Sequence, residues 1–450
     1  MTGPCEWVIV GGGVHGVCVA AHLRAAGYGT DEMRIVDPHE EFLATFEQRA
    51  HRSGTQTLRS PVGHHLDVPS DSLERFASER NRTRELIGTT DYPNRPSLSL
   101  FLDHAHWTVD RWDLEETHVM TTATGISSAE GADADAGCGG AARPPTPGEG
   151  PLHVETPVGD VRGRRVVLAV GLDGGLRVPE WAASLPDGAA VSHVWDEDLD
   201  TDALLAADER PVVVGGGVTA GQFACRLGEQ RDATLLCRSS LDVSQAEAPT
   251  AWTRPSHVEG TLHRLPPGAP ERYELIEAAR NDGTVPPYLT VRLRQARRDG
   301  GLAARQREVV AATVDDAGAE SGSACPETAC AGTGRPLRLR TASGETVADA
   351  RVVLATGVES VAEHSLVGAV ADELSLARGE HDYPILDDDT LAWRRRDGSR
   401  SRVHVSGALA VTSVGPLSPN VVGARMAAER LCRVADRSFD RDAVARPGRV

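Results

Sequence analysis

The chain has no lysine, so every one of its 47 basic residues is arginine. This excludes an imine-forming amine, the phosphate-gripping lysine of a Walker loop and a lysine general base. Aromatic residues make up only 4% of the 450 positions. Eight cysteines are scattered without a CxxC pair. The nearest couple, Cys325 and Cys330, lies in a Gly/Ala/Ser-rich stretch, so ordinary thiols are expected rather than a redox-active disulfide. No apolar run is long enough to cross a bilayer. Met1 to Trp7 has no basic n-region and leads straight into an apolar strand pattern, so no signal peptide is expected and the location is read as cytoplasmic.

Acids outnumber bases, 65 to 47, for a formal net charge of −18. Such a surface repels phosphate backbones and argues against a nucleic-acid partner. A GC-rich genome would explain arginine in place of lysine. Adaptation to concentrated cytoplasmic salt explains the acid excess and the few aromatics as well, and is the preferred reading.

Against these absences stand two glycine fingerprints, Val8-Ile9-Val10-Gly11-Gly12-Gly13-Val14-His15-Gly16 and Val212-Val213-Val214-Gly215-Gly216-Gly217-Val218-Thr219-Ala220-Gly221. Each is a β-branched run that breaks into glycines and then into a helical pattern. Strand, tight turn and helix N-terminus together cradle a dinucleotide pyrophosphate. Two such units predict two dinucleotides in one chain, a flavin and the nicotinamide that reduces it.

The strands after the two turns end differently. Asp37 ends the strand pattern Met33 to Val36, where a carboxylate accepts ribose hydroxyls, so FAD is assigned to Gly11, Gly12, Gly13, Gly16 and Asp37. The next strand of the second unit, Ala233 to Cys237, ends at Arg238-Ser239-Ser240 without an acid. A guanidinium suits a 2′-phosphate, so NADPH is favoured over NADH at Gly215, Gly217, Ala220 and Arg238. Ala220 fills the third-glycine position, which the relaxed fingerprint allows.

An internal echo supports duplication. Val166 to Gly171 and Val353 to Gly357 are buried-strand patterns ending in glycine, each preceded by a hairpin pattern and a low-complexity segment. The fold class expected is α/β, with two nested Rossmann-like three-layer domains carrying β-meander insertions. The expected domains are a discontinuous FAD-binding domain, 1–195 with 358–450, and an NAD(P)-binding domain, 209–357. Segments 127–150 and 315–335 are read as flexible insertions, and Trp195 to Arg210 as a connector. Val421 to Val434 reads as an amphipathic helix preceded by Asn420. Its N-terminus would face a flavin edge or simply pack, and Asn420 is placed among the cofactor-binding candidates.

Beyond the fingerprints, three stretches carry a family likeness. They are Gln56-Thr57-Leu58-Arg59-Ser60-Pro61 with His64-His65-Leu66-Asp67, then Arg95 to Phe101, then Gly188 with His193-Val194-Trp195-Asp196. The chain resembles the two-dinucleotide-binding class B flavin monooxygenases, and among them the lysine/ornithine N-hydroxylase-like branch. The resemblance implies a segment over the flavin at Gln56 to Asp67. It also implies an NADPH-using monooxygenase in which reduced flavin forms a C4a-peroxide that oxygenates a small nucleophile. No conventional catalytic triad is visible, and no catalytic residue is assigned.

The departures are specific. The Gly–His–Trp spacing differs from the family signature, Gly407-Ala408 stands where many relatives carry Gly-Asp, and the lysine that holds a substrate carboxylate is missing. Lysine or ornithine as substrate is therefore not supported. A flavin reductase or dehydrogenase passing electrons to a carrier is the alternative, and a non-catalytic FAD/NAD(P) redox sensor a second. His64-His65 and His104-Ala105-His106 lack ligand spacing, so no metal is expected. A small-molecule substrate and molecular oxygen are the expected partners, with no membrane, and the oligomeric state is left open.

Overall fold

In the computed structural model, which describes residues 3–89, 92–128, 150–172, 174–206, 209–314 and 334–434, the strand Cys5–Val10 lies at the heart of an eight-stranded sheet. Its side chains are buried on both faces, as expected for a central parallel strand covered by helices. Met33–Asp37 runs parallel on one side, with Val8 opposite Arg34, and Val161–Leu168 on the other, with Val8 opposite Val166. His118–Met120 extends the sheet beyond Met33–Asp37, and Arg400–Val405 extends it beyond Val161–Leu168. The C-terminal strand Arg400–Val405 thus returns to the first sheet, as the discontinuous reading requires.

A second sheet of seven strands repeats the plan. Arg210–Val214 is flanked in parallel by Ala233–Cys237 and by Thr346–Leu354. The echo extends to single bonds. The Gly11 amide donates to Val36 O at 2.9 Å and the Gly215 amide to Leu236 O at 3.0 Å. The Ala169 amide donates to Val10 O and the Ala355 amide to Val214 O, both at 2.8 Å. Antiparallel meanders precede both closing strands: Gly125–Ser128 with Leu152–Glu155, and Val309–Val314 with Leu337–Thr341. The architecture is the expected pair of α/β dinucleotide-binding units. Most of the two low-complexity segments, together with Cys325 and Cys330, lies outside the described residues.

The stretch Trp195 to Arg210 is more than a connector, because Thr201–Ala206 forms a short helix within it. Val191–His193 pairs in parallel with Val352 to Leu354 and so belongs to the second sheet, although it lies before residue 195. Conversely, Trp252, Val258, Leu262 and Ile276 pack into the same apolar cluster as Val8, Val166 and Val403 of the first sheet. The two links between sheets run side by side: Arg177 N–H donates to Gly357 O at 3.0 Å and Glu359 N–H to Gly175 O at 2.9 Å. No helix among the described residues is long and apolar enough to cross a membrane.

Candidate cofactor cleft

Each glycine of the first fingerprint meets a different demand. Gly11 turns the chain at φ +110°, and a Cβ there would lie 2.4 Å from the carbonyl oxygen of Ala169. At Gly16 a Cβ would stand 1.8 Å from the Gly11 carbonyl oxygen, so the helix Val14–Ala25 packs directly on the turn. At Gly13 the same position is open space. Gly13 caps the helix without a side chain, and no acid occupies the first turn. The first intrahelical bond is Val17 N–H to Gly13 O, which leaves the preceding amides free of the helix ladder. That is a bare positive helix end with room before it.

Asp37 stands behind this turn. Its Oδ2 accepts from the Gly12 amide at 2.7 Å, and its Oδ1 accepts from the His39 amide at 3.0 Å and faces His39 Nδ1 at 2.9 Å. The carboxylate is thus oriented by two backbone donors at the end of its strand.

The second fingerprint is built alike, with one relaxation. A Cβ on Gly215 would lie 2.3 Å from Ala355 O and 3.0 Å from the Ala220 Cβ, so the helix Val218–Gly228 stands further back from its turn. Gly216 and Gly217 face open space, Gly217 caps without a side chain, and the first turn has no acid. Arg238 is exposed just past the strand Ala233–Cys237, and exposed Ser239 and Ser240 come next.

The two units share one cleft of about 400 Å³. Gly13, Val14 and His15 reach it from the first fingerprint, and Val218, Thr219 and Gln222 from the second helix. Asn420, Val421 and Val422 bring the start of the C-terminal helix Val421–Val434 to it. Gly11, Gly12, Gly16, Asp37, Gly215, Gly217, Ala220 and Arg238 are not among its lining residues. For a chain of net charge −18, the wall is unusually poor in acid. Among the described lining residues Glu247 is the sole carboxylate, beside Arg49 and Arg59. A wall of this kind favours anionic ligands such as dinucleotides.

The stretch Thr57 to Pro61 and His64 line the cleft. Arg59 reaches from it to the second unit. Its guanidinium donates to the carbonyls of Ser244, Gln245 and Ala246 at 2.8–3.1 Å and to Thr284 Oγ1 at 3.0 Å. Nearby, Gln222 accepts from Thr55 Oγ1 at 3.0 Å and donates to the Tyr288 hydroxyl at 3.4 Å, which in turn donates to Thr57 O at 3.1 Å. Arg95 lies 4.3 Å over the Tyr288 ring. Glu247 accepts from the Asn420 side-chain amide, joining the units again.

None of Gln222, Tyr288 and Glu247 stands out in the sequence, because their partners come from distant segments. His193 does not line the cleft. It caps its own turn, Nδ1 accepting from the Trp195 amide at 3.1 Å, and Trp195 lines the cleft instead, with Arg49 4.9 Å over its ring.

The histidine pairs go to separate tasks. His104 meets Ser72 Oγ at 3.0 Å, His65 meets Ser70 O at 3.1 Å, and His106 lies 3.3 Å from Glu47. Among the described residues no group of three metal-ligating side chains converges. Burial pulls the pKa of His15 and of His64 down to about 4, so both face the cleft uncharged near neutral pH.

Residues 8–138 match a family model described as FAD-NAD(P)-binding. No curated protein matches the chain by sequence. Among solved structures, an ornithine N-hydroxylase from Kutzneria sp. 744 superposes with a TM-score of 0.68 at 16% identity, covering 96% of this chain and 99% of that one. The L-lysine 6-monooxygenase of Pseudomonas syringae gives 0.67 at 17% identity, covering 96% and 98%. A bacillithiol disulfide reductase from Staphylococcus aureus gives 0.57 at 13%, covering 96% and 98%. The chain therefore has the fold of these enzymes, with its first unit matched by the FAD-NAD(P)-binding family model.

Proposed function

We propose that the chain is an FAD-dependent, NADPH-using oxidoreductase of the monooxygenase type, acting on a small nucleophilic substrate. One observation carries the reading: the first turns of both fingerprint helices open into the same cleft. Two dinucleotides held on those turns would bring their reactive rings together between the units. The residues assigned to FAD are Gly11, Gly12, Gly13, Gly16 and Asp37, with Asn420 near the ring. Those assigned to NADPH are Gly215, Gly217, Ala220 and Arg238. The domain division proposed is 1–195 with 358–450 for FAD and 209–357 for NAD(P)H, although the strand Val191–His193 joins the second sheet and Trp252 to Ile276 packs on the first.

The residues present fit such groups. Open space stands in front of Gly13, Gly216 and Gly217, and both helix starts lack a competing acid. The chemistry a bound flavin would supply is two-electron transfer from the nicotinamide and reaction with molecular oxygen, which belongs to the cofactor. The chain's own part is to orient and to exclude water. Leu58, Val14, Phe46, Leu417 and Val421 give the cleft an apolar wall, and the neutral His15 and His64 add no charge to it. Arg59 ties the wall segment of the first unit to the loop of the second, so the cleft keeps its shape across the unit boundary. The solved N-hydroxylases of the same fold support oxygen chemistry over simple electron transfer.

The competing reading is a flavin reductase, for which the disulfide-reductase neighbour is the precedent. None of the described residues lining the cleft is a cysteine, which gives a disulfide acceptor no partner thiol among them. The test is the fate of oxygen after NADPH has reduced the protein. A monooxygenase converts oxygen uptake into hydroxylated product with a suitable amine or other nucleophile. Quantitative release of hydrogen peroxide with every candidate, together with rapid turnover of a disulfide or carrier acceptor, would favour the reductase.

A further inference from the structure

His15 is the second residue of the helix Val14–Ala25, at a position where the glycine fingerprint asks for no particular side chain. The residue is 7% exposed, and its ring makes two bonds to one distant segment. Nε2 lies 3.2 Å from the Pro419 carbonyl oxygen and Nδ1 lies 2.9 Å from Ser406 Oγ. A carbonyl only accepts, so Nε2 carries the proton and donates to Pro419, and Nδ1 accepts from the Ser406 hydroxyl. Gly407, at φ +81°, turns against the same ring, where a Cβ would stand 3.6 Å from the imidazole Cγ.

Ser406 and Pro419 bracket a buried segment that opens with the 3-10 turn Gly407–Ala410 and the helical turn Val411–Val414. It begins where the strand Arg400–Val405 finishes and stops one residue short of Asn420, the residue before the helix Val421–Val434. One imidazole therefore ties both ends of this segment to the start of the first fingerprint helix. Val14 and His15 line the cleft from one side and Asn420 and Val421 from another. The two helices, both with N-termini favourable to negative charge, pack on each other along their length, and at their N-terminal ends His15 adds a polar link between them.

We propose that His15 is the positioning residue of the flavin site. By stapling Ser406 and Pro419 to the pyrophosphate-cradling turn, it sets where the Asn420 helix start meets the flavin ring. This rests on FAD occupying the first fingerprint. Loss of the staple loosens the ring end while the turn itself, built from Gly11 and Gly16, remains.

The test is a double-mutant cycle on FAD affinity. Apoprotein carrying His15→Leu, Ser406→Ala or both is titrated with FAD and monitored by flavin fluorescence, with His15→Asn as the variant that keeps one bond. NADP⁺ binding and thermal unfolding are measured in parallel.

His15→Leu is expected to weaken FAD by about tenfold, roughly 1.4 kcal/mol, and to move the visible flavin band. Ser406→Ala weakens it less, the double variant is no worse than His15→Leu alone, and His15→Asn recovers part of the loss. NADP⁺ affinity stays at the wild-type value. Unchanged FAD affinity and spectrum in His15→Leu would overturn the proposal. So would additive losses in the double variant, or a parallel fall in NADP⁺ affinity. If the wild-type apoprotein itself fails to bind FAD, the flavin reading falls, and the staple with it; that result is distinct from a variant that binds like wild type.

Discussion

The Asp37 carboxylate accepts a 2.7 Å hydrogen bond from the Gly12 amide, locking the end of the second strand to the turn after the first. Its charge is thus placed by the backbone beside the cradle and not by a flexible arm. Replacing Asp37 by Ala removes an acceptor from the Gly12 and His39 amides as well as the proposed ribose contact. FAD affinity is expected to fall by at least about tenfold, with Asp37→Asn intermediate because its amide oxygen still accepts. Equilibrium titration of the apoprotein checks this. Equal affinity in Asp37→Ala would remove the residue from the FAD site.

Arg238 stands just past the corresponding strand of the second unit, exposed and with two serines after it. Arg238→Ala is expected to raise the KM for NADPH about tenfold and leave that for NADH unchanged, because only the 2′-phosphate loses a partner. Steady-state oxidation of both nucleotides measures it. Equal effects on the two would assign Arg238 to general solvation.

Five wholly or largely buried histidines, His15, His22, His64, His104 and His404, have pKa values pulled down to about 4, chiefly by burial. In the unfolded chain they titrate near 6.5. Between about pH 6.5 and 4 the unfolded state therefore binds protons that the folded state refuses, and stability falls as pH falls through that window. The slope reaches about 1.4 kcal/mol per pH unit for each fully coupled histidine. At lower pH, Asp388 adds a further loss on protonation. Burial pushes its pKa up, but the Arg272 and Ser413 hydrogen bonds outweigh that and hold it below its ordinary value. Urea midpoints at pH 7, 6 and 5 should decline steadily. A flat profile would contradict the burial of these rings.

The acid excess leads to the expectation that molar KCl raises the melting temperature, since counterions screen repulsion among surface carboxylates. Melting curves from dilute buffer to about 3 M KCl test it over the range where screening is nearly complete. Full stability in dilute buffer would leave codon bias as the explanation for the missing lysine.

Much of the fold was legible because it is local. Ala233–Cys237 and Val421–Val434 take the bounds their patterns imply, since each is a simple apolar run or an amphipathic repeat. The three-residue strand Val191–His193 was not legible, being held by pairing with a segment some 160 residues later and not by its own pattern. The helix Thr201–Ala206 hides within an acidic stretch.

In the site, Gly11 and Gly16 were readable because a backbone clash dictates them, and Ala220 marks where that clash is relaxed. The His15–Ser406 pair, 391 residues apart, and the Gln222–Tyr288–Thr57 chain were not. Their side chains keep to no period and acquire meaning only when the units meet.

The most direct test of the central claim is the visible spectrum of the purified protein, reconstituted with FAD and then mixed with NADPH without oxygen. Tightly retained flavin is expected, its oxidised bands disappearing on NADPH addition, faster than with NADH, and returning when oxygen is admitted. A protein that retains no flavin, or whose bound flavin NADPH leaves oxidised, would contradict the shared cleft as a site of hydride transfer.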